Sequence, residues 1–85
     1  MASKRILKKN VNAMVFDIVE ECFTIQMADE KKMDASNKII DEAADYQIEV
    51  LAKINGAKNS ADFKGLRGEI EEKAIDFIKK LNKLG

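Results

Sequence analysis

Residues 6–27 read ILKKNVNAMVFDIVEECFTIQM, and this stretch decides the fold. On a helix that advances about 100° per residue, one side of the stretch is apolar along its whole length. The members of this stripe are Leu7, Val11, Met14, Ile18, Cys22 and Ile25. Such a stripe is typical of a helix that packs against a protein core.

The same helix carries a second apolar group, which consists of Phe16, Val19, Phe23 and Met27. Together the two groups span about 220° of the helix circumference, whereas a surface helix needs an apolar arc of only ~100°. Large contiguous apolar patches are uncommon on the surface of soluble monomers. Two further helices in so short a chain cover one side. We therefore expect the second group to bind another copy of the protein and form a homodimer.

The composition predicts an all-α protein with a single domain spanning residues 1–85. The chain has no proline and only four glycines, and 46% of its residues are apolar and 35% charged. These values exclude a disordered chain. A chain of this length has a small core, for which oligomerisation is one remedy. Three helices over about 3–28, 35–55 and 60–84 predict an up-down-up three-helix bundle.

Five residues are candidates for the caps and ends of the helices. Ser3 is expected to cap the first helix, and Asp34 or Ser36 the second. Gly56 is expected to end the second helix in a left-handed conformation, and Ser60 to cap the third. The break over residues 29–36 rests on the polar residues that occupy the core positions there. The alternative is one continuous helix over residues 6–54, about 73 Å long, which requires an intermolecular coiled coil.

The second and third helices each carry a core-facing side. On the second helix it consists of Ile39, Ile40, Ala43, Tyr46, Gln47, Val50, Leu51 and Ile54. On the third it consists of Phe63, Leu66, Ile70, Ala74, Phe77, Leu81 and Leu84, widened by Ile78. Gly65 and Gly68 indicate a frayed or closely packed start of the third helix. A phosphate-binding glycine loop is disfavoured, because no strand precedes them and no Gly-Lys-Ser/Thr follows.

Charge is distributed unevenly along a chain whose net charge is zero. Residues 1–10 and 53–68 have a balance of +7, and residues 11–52 one of −7. An up-down-up bundle gathers the basic segments at one end. Their cations are Lys4, Arg5, Lys8, Lys9, Lys53, Lys58, Lys64 and Arg67. Such an end can bind phosphate, nucleic acid or an acidic protein, or it can be a solvated surface with no partner.

No residue pattern predicts catalysis, a metal site or a cofactor. The absence of histidine excludes Ser-His, Cys-His and His-metal designs. The carboxylates Asp17, Glu20 and Glu21 are interpreted as a solvated strip, and Cys22 as a buried small hydrophobe rather than a reactive thiol. The chain is therefore expected to be no enzyme. No signal-peptide-like apolar run occurs, so we expect a cytoplasmic protein without membrane attachment.

One segment carries a resemblance to a known group of proteins. The pattern Lys4-Arg5-x-Leu7-Lys8-Lys9-x-Val11, with Glu21-Cys22 about ten residues later, resembles small uncharacterised all-helical proteins of Bacteroidetes bacteria. The match covers about 20 residues, and the rest agrees in length and helix layout. The resemblance implies an all-helical fold and a bacterial cytoplasm, and it assigns no functional residue.

Overall fold

The structure, a computed structural model, describes residues 4–84 as three long helices. They are α1 (Lys4–Ala28), α2 (Met33–Gly56) and α3 (Ser60–Leu84), with a short 3₁₀ turn (Glu30–Lys32) between the first two. These residues contain no strand. The predicted all-α three-helix bundle is confirmed. Ser3, the expected cap of the first helix, lies outside the described residues.

Hydrogen bonds along the seam between α1 and α2 fix these helices as antiparallel neighbours. The Gln26 side chain at the end of α1 donates to Asn37 at the start of α2, over 2.7 Å. Near the other end, the Gln47 side chain donates to Asn12 over 2.8 Å. The residue numbers of facing positions therefore add up to about 60. α1 and α2 make the most extensive contact between any two helices of the bundle.

α3 returns alongside α2 and parallel to α1. Two ion pairs join it to α2: Lys53 with Glu69, 3.0 Å apart, and Lys80 with Glu42, 2.6 Å apart. From the first pair to the second, the residue number falls on α2 and rises on α3, so these two helices are antiparallel. This completes the up-down-up order. The resulting bundle is elongated and measures 45 × 18 × 16 Å.

The core lies along the predicted stripe of α1. Five of the six stripe residues are buried, and Met14 is partly buried and packed against them. Val15 is also buried, although it is not among the predicted core residues of α1. On a helical wheel Val15 lies about 60° from Ile18, between the two apolar groups. This position could have identified it as a core residue.

The break between α1 and α2 is confirmed, and its predicted capping residues are wrong. α1 ends at Ala28, which excludes the single long helix. Asp29 caps the 3₁₀ turn, because its carboxylate accepts a hydrogen bond from the Lys31 backbone N–H over 3.0 Å. That turn leads directly into α2, two residues earlier than predicted. Neither Asp34 nor Ser36 is therefore needed to begin α2.

Ser36 is instead a fully buried polar residue at the α1–α2 seam. Its hydroxyl donates to the Met33 carbonyl over 3.0 Å and accepts a hydrogen bond from the Gln26 side chain over 2.8 Å. Both hydrogen-bonding functions are satisfied, so burial of this hydroxyl carries little penalty.

Gly56 does not adopt the left-handed conformation that was expected of it. None of the described glycines has a positive φ, and Gly56 is the last residue of α2. The helix ends because Ala57 turns extended, with φ −69° and ψ 134°. Ala57 is buried, and its N–H donates to the Ile54 carbonyl over 3.2 Å. Burial of the Ala57 side chain thus accompanies the change of direction that a left-handed glycine was expected to make.

The start of α3 is capped by Asn59 rather than by Ser60. The Asn59 side-chain oxygen accepts from the Asp62 N–H over 3.0 Å, and the Asp62 carboxylate accepts from the Lys58 N–H over 3.0 Å. The two bonds satisfy two backbone donors at the helix start. They resemble a capping box, except that the second donor is Lys58, the residue before the cap. Ser60 is the first residue of the helix itself.

α3 contributes fewer buried residues than the other two helices. Only Leu66, Ile70 and Phe77 are buried, whereas Ile78 is largely exposed. A Cβ added at Gly65 or Gly68 meets no atom within 4 Å, which excludes close packing as the reason for these glycines. The Phe77 ring lies edge-on to Tyr46, with centroids 6.3 Å apart, and forms the main aromatic contact between α3 and α2.

Candidate self-association face and basic end

The second apolar group of α1 remains largely uncovered. Phe16 is 67% exposed, Phe23 51% and Met27 83%. Val19 differs from these three, because it is partly buried and packs against the core. Thus the structure places three of the four predicted self-association residues on the surface, and neither α2 nor α3 covers them.

α2 adds apolar residues to the same side of the molecule. Ile48 is 72% exposed and Met33 44% exposed. On the α2 wheel, both lie about 120° or more from Glu42, which pairs with α3. They therefore lie on the side of the α1–α2 pair that faces away from α3. Ile48 is not assigned to a face from the sequence, because it follows the core-facing Tyr46 and Gln47 at a position that the stripe does not include.

We call this surface the outer face. Its exposed apolar residues are Phe16, Phe23 and Met27 of α1 and Met33 and Ile48 of α2. The Gln47–Asn12 and Gln26–Asn37 hydrogen bonds, which are solvent-exposed, run along the seam between these two helices. The outer face thus carries exposed apolar side chains on both helices and polar side chains at the seam between them.

The molecule exposes more surface than its mass requires. Its accessible surface is 5999 Å² for 9.6 kDa, whereas a compact monomer of that mass exposes about 5,100 Å². The radius of gyration is 14.1 Å, against about 12 Å for a compact domain of this length. The excess reflects the elongated shape of the bundle and the outer face of α1 and α2, which no other helix covers.

Four basic residues at the start of α1 share one surface. Lys4, Arg5, Lys8 and Lys9 line a shallow depression together with Asn12 and Ala13. The Lys4 ammonium donates to the Asn55 carbonyl over 2.9 Å. A cation at the start of α1 lies at the positive end of that helix's own dipole, which is unfavourable. The bond to Asn55 offsets this for Lys4, because it places the charge at the negative end of the α2 dipole. Within residues 4–84, no carboxylate forms an ion pair with Arg5, Lys8 or Lys9.

The other four cations of the predicted basic end lie on α2, the α2–α3 connection and α3, at the end of the bundle where Lys4 of α1 meets Asn55 of α2. Lys53 is paired with Glu69 at 3.0 Å and with Glu49 at 3.7 Å. The hydrogen bond with Glu69, followed by its charge, raises the pKa of the Lys53 ammonium. Arg67 lines a groove between α1 and α3 that also contains Glu71. Acidic groups therefore neutralise part of the charge that the sequence segments predicted for this end.

Lys58 and Lys64 complete the set. Both side chains are exposed, and the backbone N–H of Lys58 is the group that Asp62 holds. Four of the eight predicted anion-binding residues thus share one depression on α1, and the other four lie on α2, the α2–α3 connection and α3.

Two buried groups have a raised pKa. Burial, and then the charge of Glu21, raises the pKa of the Cys22 thiol, so the thiol form is favoured and the residue acts as a small hydrophobe. Burial, followed by the charges of Glu69 and Glu49, raises the pKa of Tyr46 to about 12. The Tyr46 hydroxyl is buried and has no hydrogen-bond partner among the described residues.

The carboxylates of α1 do not form a recognisable chemical site. Asp17, Glu20 and Glu21 are exposed. Among residues 4–84, no group of three or more acidic, cysteine or histidine side chains is arranged to hold a metal ion. In the same part of the chain, each helix is too short or too polar to cross a membrane.

Comparison with protein-family models, with curated proteins and with solved structures finds no match for this chain. Two features of the molecule therefore bear on its function. They are the outer face and the basic surface formed by Lys4, Arg5, Lys8 and Lys9.

Proposed function

We propose that this chain is a non-enzymatic helical module of the cytoplasm that associates with a second copy of itself through the outer face. The observation that carries the proposal is the exposure of Phe16, Phe23 and Met27 beside Ile48 and Met33 on one side of the molecule. Aromatic residues and methionine are the types enriched at protein interfaces. A symmetric pair is the commonest form of such association.

The dimensions of the outer face agree with those of a stable interface. From Arg5 to Met27 the exposed strip of α1 is about 33 Å long, and the bundle is 18 Å across its second dimension. A stable interface buries about 800 Å² of accessible surface on each partner. The flat outline of this face is about 600 Å², and the side chains that protrude from both helices add accessible surface to it. Covering this surface also buries apolar area that a small core lacks.

The test is the solution mass of two matched variants. Phe23→Lys introduces a charge into the outer face, and we expect a helical protein with the mass of one chain. Ile75→Lys places the same charge on α3, at an isoleucine that is 55% exposed against 51% for Phe23. It should keep the mass of two chains, as the unmodified protein should. The measurement is light scattering beside circular dichroism.

Ile18→Asp distinguishes the core from the interface. Ile18 is 4% exposed, and an unpaired buried charge costs several kcal/mol, so this variant should lose its helical signal. Two results would contradict the proposal. One is a single-chain mass for the unmodified protein at high concentration, and the other is a Phe23→Lys variant that stays dimeric.

A second candidate is the binding of an acidic protein or a nucleic acid by the basic surface. It is favoured by one observation, namely that Arg5, Lys8 and Lys9 lie together without a carboxylate partner among the described residues. Three neighbouring cations attract polyanions at low salt. No exposed aromatic residue lines this surface to stack on bases.

A further inference from the structure

The outer face is charged as well as apolar, and its charges have a direction. Arg5, Lys9, Phe16, Phe23 and Met27 lie within about 40° of one another around α1, and all are exposed. Glu20 lies beside the same line, about 20° further round. Along this line Arg5 and Lys9 come first, Phe16 lies at the middle of α1, and Glu20 lies beyond the middle.

Two symmetric arrangements can bring two outer faces together. If the two-fold axis runs along the helices, the basic ends of both copies lie at the same end. This arrangement brings Arg5, Lys8 and Lys9 of one copy close to the same three cations of the other, and like charges repel. If the axis runs across the helices, the copies are antiparallel and each basic end lies against the opposite end of its neighbour.

The antiparallel arrangement also fits the length of α1. Phe16 is the central residue of α1, which runs from Lys4 to Ala28. Full overlap of two antiparallel copies puts Phe16 at the two-fold axis and sets residue n opposite residue 32 − n. Lys9 then faces Phe23 of the partner subunit, and Glu20 of the partner subunit is about 4.5 Å further along the axis. A lysine side chain at position 9 can span this offset.

We propose that the dimer is antiparallel about Phe16, with Lys9 of each chain paired with Glu20 of the partner subunit. This inference rests on the proposed self-association and adds the orientation of the two copies. Each dimer contains the pair twice. Lys9 and Glu20 of one chain are about 16 Å apart along α1, so they do not pair within the chain. Coupling between the two positions therefore reports on contact between chains.

The experiment is a double-mutant cycle on the dimer dissociation constant, measured by analytical ultracentrifugation at low salt. Lys9→Glu and Glu20→Lys each create a like-charge contact and should raise the dissociation constant about tenfold. The combined variant restores opposite charges and should return to within about twofold of the unmodified value. The charge-matched controls on α3, Lys79→Glu and Glu72→Lys, change exposed residues and should leave the constant unchanged. Added salt should reduce the coupling.

The outcomes separate the orientation from the association. If the unmodified protein is dimeric, Phe23→Lys is monomeric and the combined variant shows no recovery, the antiparallel pairing is wrong and the self-association stands. If the unmodified protein has a single-chain mass at every concentration, both proposals fail. The pairing is also overturned if the unmodified protein retards a random oligonucleotide at low salt and Lys9→Glu abolishes that retardation without changing the dissociation constant. Lys9 would then bind nucleic acid and not the partner subunit.

Discussion

Gly68 lies on the exposed side of α3 in a helical conformation, and a Cβ at this position meets nothing within 4 Å. Glycine in a helix interior costs about 1 kcal/mol relative to alanine. Gly68→Ala should therefore raise the free energy of unfolding by about 1 kcal/mol and the melting temperature by about 4–8 °C. Thermal and urea unfolding followed by circular dichroism provide the measurement. A lower melting temperature would show that this glycine has a packing or conformational role.

At the scale of single residues, the sequence predicts burial better than it predicts capping. The apolar stripe of α1 identifies the core because side-chain periodicity determines which residues face inward. Capping depends on which of several competing oxygens lies near a free N–H. Asp29 and Asn59 cap in place of Asp34 and Ser60, because the chain path in each turn brings their side chains to those donors. That path is a tertiary property.

The exposed residues of α2 show a second limit of residue-level prediction. Ile48 was not assigned to any face, yet it is the most exposed isoleucine of the chain's described part. Periodicity alone indicates that Ile48 lies away from the core stripe, and it does not indicate which neighbour it adjoins. Only the register of α2 against α1 puts it on the same side as Phe16.

At the scale of elements, α3 is held less extensively than α1 and α2. It has three buried residues, whereas α1 and α2 have six each. Two half-exposed ion pairs also join it to α2, and such pairs contribute little in water. Lys73 and Lys80 also lie 5.5 Å from the centroid of the buried Phe77 ring.

This difference predicts the order of local opening. We expect the amide hydrogens of α3 to exchange faster than those in the middle of α1 and α2, since local stability follows the number of buried contacts. Native-state hydrogen exchange, monitored by mass spectrometry of peptides or by NMR, measures this order. Equal protection of all three helices would show that the bundle opens only as one unit.

The number and order of the helices were predictable, and the pairing of charges between them was not. The break at Asp29 follows from polar residues at core positions, so a sequence pattern reveals it. The neutralisation of Lys53 by Glu69 depends on how α3 aligns with α2. The basic end is consequently less positive than the segment charges indicate. Four of the candidate anion-binding residues share one depression on α1, and the other four lie on α2, the α2–α3 connection and α3.

At the scale of the whole molecule, stability should decrease in alkaline solution. The folded-state pKa of Tyr46 is about 12, against 10.0 for the unfolded chain. Below pH 10 the hydroxyl is protonated in both states, and its contribution to stability is fully present. Between about pH 10 and pH 12 the unfolded state loses the proton first, so roughly 2–3 kcal/mol of stability is lost. The raised pKa of Cys22 acts in the same direction.

Urea unfolding at a series of pH values from 7 to 11 measures this dependence. The control is Tyr46→Phe, which removes a buried hydroxyl that has no partner among the described residues. It should unfold at the same or a higher urea concentration at pH 7, and it should show a smaller decline above pH 10. An identical alkaline decline in both proteins would assign the effect to other groups.

The extensive contact between α1 and α2 has a consequence for the order of folding. The hydrogen bonds between these helices and their buried residues all lie within residues 4–57. Two helices joined by a short connection close over a short span of chain and therefore at a low entropic cost. This hairpin already presents Phe16 and Phe23, so the proposed association does not wait for α3 to dock.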